Sequence, residues 1–183
     1  AHASDELKAT EAEIRELKAL GANGFVIGCL TPEGDLDSAA MAPLLDAAAG
    51  AGLTLHRCID VSRDPVQTYL DAGKLGIDTV LTSGAAGNCR LGKATIGTLL
   101  QLRDTHNGPE VLVGAGVNAK VIAAFRESYP RAHAFHMSGK TDIPSRMVFR
   151  REGVPMGAPG FDEWHIQQTS PEAVIAARAA LDA

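Results

Sequence analysis

The chain has 183 residues, of which 45% are hydrophobic and 21% are charged, and its net charge is -5. These totals are typical of a soluble protein with a single domain, spanning residues 1–183. The acidic balance argues against a nucleic-acid partner, because phosphate binding needs clustered Lys and Arg side chains, which are scattered here. No apolar run approaches the roughly 20 residues of a membrane span, and no signal-peptide pattern opens the chain, so we expect a cytoplasmic protein without a membrane partner.

A unit of one strand and one helix recurs along the chain. After a first helix over residues 5–20, apolar runs predict five strands, at residues 24–30, 53–60, 78–84, 110–117 and 132–139. Helices are predicted at residues 36–49, 65–72, 93–105 and 119–128, and a closing helix capped by Ser170 follows a loop over residues 147–168. The short connections predict right-handed crossovers and a parallel sheet.

Every predicted strand ends in glycine, hydroxyl or charged residues. The endings read GCLTPEG, HRCID, LTSG, GAGVN and HMSGK in chain order. In parallel α/β folds the ligand site gathers beyond the carboxyl ends of the strands. We therefore expect these endings to form one polar rim.

The ending of the second strand carries the most reactive groups. Strand alternation over residues 53–60 places His56, Cys58 and Asp60 on one face, where His56 and Cys58 could share a proton or bind a soft metal. Arg57 then lies on the other face, near an aspartate with which it could pair. The alternative is a satisfied hydrogen-bond network that is only structural.

Two later strand endings favour anion binding. LTSGAAGNCRLG, residues 81–92, offers hydroxyl groups and backbone N–H groups before a helix, and VLVGAGVN, residues 111–118, offers glycines followed by Asn118 at a helix start. Together they are similar to the phosphate cradles of many (β/α)8 enzymes. Glycines chosen only for tight turns are the alternative.

The fifth strand ending brings a second histidine to the rim. Alternation puts His136 and Ser138 on one face of HMSGK. Opposite His56 across a barrel, His136 could complete an acid/base pair or a metal site.

The three cysteines, Cys29, Cys58 and Cys89, lie far apart in the sequence and have no CxxC spacing. This pattern indicates neither a disulfide framework nor a structural zinc site. We expect reduced thiols.

In this order, the segments resemble the CutC family, whose proteins are named for copper homeostasis. The matching segments are GCLTPEGDLD, LHRCIDVSRDP, LGIDTVLTSG, GAGVNAKVI, HMSGK and SRMVFRREGVPMG. The family pattern HRxxDxxxDP falls on His56, Arg57, Asp60, Asp64 and Pro65, and its LTSG falls on residues 81–84. The resemblance implies an α/β fold of the (β/α)8 TIM-barrel type, of which this chain supplies five parallel strand-helix units.

The resemblance, added to the strand endings, also implies site residues. The catalytic candidates are His56, Arg57, Asp60 and His136. The ligand-binding candidates are Thr82, Ser83, Gly84, Gly114, Gly116, Asn118 and Ser138. The family's GGGV is GAGV here, so Ala115 replaces one glycine and weakens the case for a backbone anion cradle.

Length is the largest departure from the family. A complete barrel typically needs about 250 residues, and the match begins in the helix after the family's third strand. In the family, the cysteines that are credited with copper binding lie in the segment that precedes the region matched by this chain. Because five strands cannot close a barrel, we expect a fragment of a longer protein, or else a homodimer that covers the open edge.

Three functions remain open at this point. The first is a copper homeostasis protein that binds Cu(I), with Cys29 and Cys58 as thiolate ligands. The second is a TIM-barrel enzyme that acts on a small phosphorylated or carboxylated substrate. The expected partner is a copper ion under the first hypothesis and a small anionic ligand under the second. The third is a non-catalytic scaffold with a structural rim.

Overall fold

A computed structural model of the chain describes residues 4–158, 160 and 162–183. Two residues of the predicted loop, at positions 159 and 161, lie outside these ranges. The described α-helices are α1 Ser4–Ala19, α2 Ser38–Ala48, α3 Pro65–Lys74, α4 Lys93–His106, α5 Ala119–Ser128 and α6 Pro171–Asp182. The strands are β1 Gly24–Ile27, β2 Gly52–Leu55, β3 Thr79–Thr82, β4 Glu110–Val113, β5 Lys140–Pro144 and β6 His165–Thr169, and a short 3-10 helix spans Arg57–Val61.

The predicted helices all form, and polar side chains fix where several of them begin. Asp37 accepts a hydrogen bond from Ala40 N, Asp64 accepts bonds from Val66 N and Gln67 N, and Asn118 and Ser170 cap α5 and α6 in the same way. Each bond satisfies a backbone donor that the first helical turn leaves without a partner. Among the described residues, no helix has the length and apolar character to cross a membrane.

Strands β1 to β4 form a parallel sheet in sequential order, as the repeated unit predicts. One face packs against the helices and buries alternate side chains: Phe25, Ile27, Leu55, Val80, Val111 and Val113. On the other face Val26, which pairs with Thr54, keeps 63% of its surface exposed. The sheet is therefore one arc of an incomplete barrel, with helices outside and an open inner face.

The fifth parallel strand is shorter than predicted. It consists of one bridge between Phe135 and Val113, held by bonds from Val113 N to Ala134 O at 3.0 Å and from His136 N to Val113 O at 2.8 Å. The Phe135 ring packs edge-on against Phe125 of α5, which keeps the segment in place beside β4. The chain then turns at Gly139, which has a φ of +57°.

Two further expectations about strands were wrong. The segment predicted as a loop contains β6, which pairs antiparallel with β5 as a small separate sheet. Both strands are mostly exposed and polar, KTDIP and HIQQT, so they lack the apolar alternation by which a strand is recognised.

The second error concerns LTLHRCID, where β2 ends at Leu55. The His56 side chain accepts a bond from Cys58 N at 3.0 Å, and this starts the 3-10 helix. With three residues per turn, Arg57 and Asp60 lie on the same side, so the predicted strand faces do not apply beyond Leu55.

Candidate functional site

The carboxylate of Asp60 is the centre of a polar network at the carboxyl ends of β2 and β3. Five donor atoms lie within hydrogen-bond distance of it: Thr82 Oγ1 and Arg57 Nε at 2.6 Å, Ser83 Oγ at 2.8 Å, and the backbone N of Ser83 and of Ala85 at 3.0 Å. Its side chain is only 5% exposed. The 3-10 helix positions Asp60, and the end of β3 supplies most of the donors.

These donors decide the charge of Asp60. Burial is the largest single influence and raises the pKa, but the hydrogen bonds from Thr82, Arg57, Ala85 and Ser83 together hold the pKa below its ordinary value. The group is therefore an ionised carboxylate whose oxygens are already occupied. A general base needs a free lone pair, so this geometry suits a residue that positions its neighbours.

Arg57 is the exposed member of the network. Its Nε donates to Asp60 and its Nη2 donates to Ser83 Oγ at 2.7 Å, while 45% of its side chain stays exposed. Among the described residues, Nη1 has no hydrogen-bond partner. The guanidinium is thus fixed along one edge and retains N–H groups that could meet a carboxylate or a phosphate.

The loop after β3 closes tightly on itself. Gly84 has a φ of +76° and donates its N–H to Thr82 Oγ1 at 2.8 Å. Further along, Asn88 Oδ1 accepts bonds from Arg90 N and Leu91 N, and Cys89 N donates to Ala115 O at 3.0 Å. The last of these bonds ties this loop to the loop after β4.

The predicted cradle after β4 is only partly open to a ligand. The N–H of Gly114 donates to Thr82 O at 2.8 Å and so belongs to the sheet. Ala115 has a φ of +68° and Gly116 a φ of +82°, so the residue that replaces a family glycine lies in the left-handed region. That conformation costs an L-residue about 1–2 kcal/mol.

The predicted catalytic and ligand-binding residues other than Gly114 and the histidines fall into two groups. Arg57, Asp60, Thr82, Ser83 and Gly84 come together in the Asp60 network. Gly116, Asn118 and Ser138 instead line a separate cleft of about 550 Å³ beside α5 and α6.

The two histidines at the rim also lie apart. His136 is exposed and lies beside Gly114, three strand positions from His56. At about 4.8 Å per position, this spacing gives no direct acid/base pair between the two rings.

A thiol and an imidazole meet over Gly28, just after β1. A Cβ placed on Gly28 would lie 2.7 Å from Cys58 Sγ and 3.0 Å from His56 Nδ1, so only glycine leaves room for both side chains. Cys29 is the next residue and is buried, and it lines a small pocket of about 120 Å³ with Gly28 and His56. Sequence patterns identified the three donors but not the role of Gly28.

The thiols of this cluster are protonated at neutral pH. Burial and then the nearby Cys29 raise the pKa of Cys58 to about 12, and burial followed by the charge of Asp37 raises the pKa of Cys29. Among the described residues, no group of three or more His, Cys, Asp or Glu is arranged to hold a metal ion.

The Asp-Pro pair of the HRxxDxxxDP motif begins α3, where the sequence predicts a helix start. Asp64 caps α3 through two bonds at 3.0 Å, and Pro65 occupies the first helical position. Ala85, whose backbone N–H completes the Asp60 network, has no distinctive residue type and could not be found from the sequence.

Comparison with known proteins supports the family resemblance. A model of the CutC family matches residues 1–141. A family protein CutC from Chromobacterium violaceum is 36% identical over 178 residues, which cover 97% of this chain and 70% of that protein. A family protein CutC from Bacteroides fragilis is 37% identical over 153 residues, which cover 83% of this chain and 59% of that protein.

A solved structure supports the fold. The crystal structure of CutC from Streptococcus agalactiae, which is named as a copper homeostasis protein, superimposes with a TM-score of 0.67 at 24% sequence identity. The match covers 74% of this chain and 65% of that chain. The chain thus spans between about three fifths and seven tenths of these relatives. On the family model and the sequence identities, the chain belongs to the CutC family.

Proposed function

We propose that this chain acts in copper homeostasis and binds Cu(I) between the thiols of Cys29 and Cys58. The observation that carries the proposal is the convergence of Cys58 and His56 over Gly28, with Cys29 adjacent. Thiolates are the ligands that select Cu(I). The imidazole Nδ1 of His56 already accepts a hydrogen bond from Cys58 N, so His56 helps to position Cys58 beside Gly28. Two soft ligands are enough for this ion, so a three-ligand cluster is not required.

The protonated state of the thiols sets the pH dependence of this binding. Cu(I) must displace a proton from each sulfur, and the pKa of Cys58 is about 12. Below that pKa, the affinity is expected to rise about tenfold per pH unit for each proton released. Binding that does not change between pH 6 and pH 8 would exclude thiolate ligands.

The test is an anaerobic Cu(I) titration against a competing chelator. We expect Cys29→Ala or Cys58→Ala to weaken binding about a hundredfold, which corresponds to about 2.8 kcal/mol. Cys89→Ala is the matched control, because Cys89 is also a buried free thiol but lies in the loop after β3. Equal binding by the wild type and a Cys29→Ala, Cys58→Ala double variant would reject the proposal.

Arg57 supports a second candidate, an enzyme or receptor site for a small carboxylated or phosphorylated molecule. Its guanidinium is held by Asp60 and Ser83 and keeps Nη1 free of other described residues. A preorganised guanidinium of this kind loses little side-chain entropy when it binds an anion.

An NMR titration with inorganic phosphate tests the second candidate. The Arg57 Nε–H resonance is expected to shift on binding, and Arg57→Gln is expected to weaken the phosphate affinity of the rim about tenfold. Arg63→Gln is the control, since Arg63 makes a surface ion pair with Asp35 and lies outside the network. A resonance that stays unchanged at saturating phosphate would contradict an anion site at Arg57.

A further inference from the structure

Two clefts adjoin each other at the start of α5. The first, of about 550 Å³, lies against the Met137–Lys140 turn and α6, and the second, of about 400 Å³, lies between α5 and the residues that begin α4. Both are lined by Asn118 and Lys120. A ligand that occupies both clefts must therefore pass Lys120.

The charge of these clefts is opposite to that of the chain. Arg90, Lys93, Lys120 and Lys140 line them, and none of the described lining residues is Asp or Glu, although the chain has a net charge of -5. Such local concentration of one sign draws in ligands of the other sign. The clefts are thus suited to a negatively charged ligand.

The four cationic side chains differ in the hydrogen bonds that they already make. Lys93 donates to Ser128 Oγ at 2.6 Å, and Lys140 donates to the side chain of Gln167. The side chains of Arg90 and Lys120 make no hydrogen bond or ion pair with the described residues. These two are free to engage a ligand, whereas the other two must give up or share a neutral partner.

The other described residues that line the clefts offer no aromatic face for stacking, so binding depends on the charged groups of the ligand. Val121 and Phe125 are buried, and the Lys93 ammonium lies 5.7 Å from the centre of the Phe125 ring, so no aromatic face is open for stacking. The Asn118 side chain already caps α5 through Val121 N. The attraction therefore comes from the cations.

We propose that Lys120 is the centre of a binding site for an extended small polyanion, a diphosphate or a bisphosphorylated metabolite. One anionic group lies in each cleft, the first near Lys140 and the second near Arg90 and Lys93, and Lys120 contacts both. Two clefts that share one unpaired lysine suit a ligand with two separated anionic groups. The site is independent of Cys29, Cys58 and Arg57, so it goes beyond the proposed function.

Calorimetric titration of the whole chain with inorganic pyrophosphate and with inorganic phosphate, in metal-free buffer, tests this site. Pyrophosphate is expected to bind about tenfold more tightly than phosphate, because it reaches more than one of the cations. Lys120→Gln is expected to weaken pyrophosphate binding about tenfold and Arg90→Gln by a smaller factor, and raised salt is expected to weaken it further. Lys74→Gln is the control, because Lys74 pairs with Asp71 on α3.

Three results would overturn the proposal. The first is pyrophosphate binding that is the same for Lys120→Gln and the wild type. The second is equal affinity for phosphate and pyrophosphate. The third is loss of pyrophosphate binding in Arg57→Gln with retention in Lys120→Gln, which would put the anion at the Asp60 network. Circular dichroism of each variant confirms that these exposed substitutions leave the fold intact.

Discussion

Replacing Asp60 by asparagine is expected to lower the free energy of unfolding by about 3 kcal/mol at pH 7. The carboxylate is nearly fully buried and lies within hydrogen-bond distance of five donor atoms. Asparagine has the same shape but turns one acceptor oxygen into an N–H donor, which then faces other donors. Arg57 also loses its ionic partner. Because Arg57 is partly exposed to water, the broken ion pair accounts for only a small part of the lost stability.

The same variant should change how stability depends on pH. The pKa of Asp60 in the folded chain is lower than in the unfolded chain, so its ionised form stabilises the fold above the unfolded pKa of about 3.9. That contribution is lost as the pH falls through the folded pKa. The difference between the wild type and Asp60→Asn is therefore expected to be constant near neutral pH and to shrink below about pH 4.

Urea unfolding at several pH values measures both effects. Asp71→Asn is the control. Asp71 pairs with Lys74 on the surface of α3, so its replacement should lower the free energy of unfolding by less than about 1 kcal/mol. A loss below 1 kcal/mol for Asp60→Asn would mean that the Asp60 network does not organise the rim. A pH-independent difference would show that charge is not the reason for the loss.

The helices could be predicted closely because their signals are local. Asp37, Asp64, Asn118 and Ser170 each lie one position before a helix, and the donors they satisfy are within three residues. The parallel sheet could be predicted from the alternation of apolar strands and helices. These features depend on spacing alone, which a single sequence displays.

The endings of the strands could not be predicted so well, because they depend on contacts between distant segments. His56 turns the chain into a 3-10 helix through its bond from Cys58 N, where alternation predicted more strand. The β5–β6 pair forms from two exposed polar segments that carry no strand pattern. The fifth parallel strand contracts to the Phe135 bridge.

The residues of the candidate site were identified better than their roles. Sequence placed Arg57, Asp60, Thr82 and Ser83 at one rim, and their contacts bring them together. Asp60 was expected to move protons, but its oxygens are occupied, so we now propose that it positions Arg57 and the β3 loop. Occupancy of lone pairs is a property of the folded loop, and no residue spacing reveals it.

Replacing Gly92 by alanine is expected to be at least as damaging as the loss of Asp60, although Gly92 carries no functional group. A Cβ at this position would lie 1.9 Å from Ser83 O and 2.7 Å from the Cα of Gly84. Both are backbone atoms, so no side chain can rotate away and the loop after β3 must open. Its φ of -86° is ordinary, so the clash, not backbone strain, decides the outcome.

Urea unfolding is expected to show a loss of about 3 kcal/mol for Gly92→Ala, the upper range for overpacking. Opening the loop pulls Ser83 away from Asp60, so the amide protons of Ser83 and Ala85 should exchange with solvent much faster. Gly87→Ala is the matched control, because Gly87 lies in the same loop and a Cβ there meets no atom within 4 Å. If the two variants were equally stable, the close approach of Gly92 to Ser83 would not constrain the rim, and the preorganisation of Arg57 would need another cause.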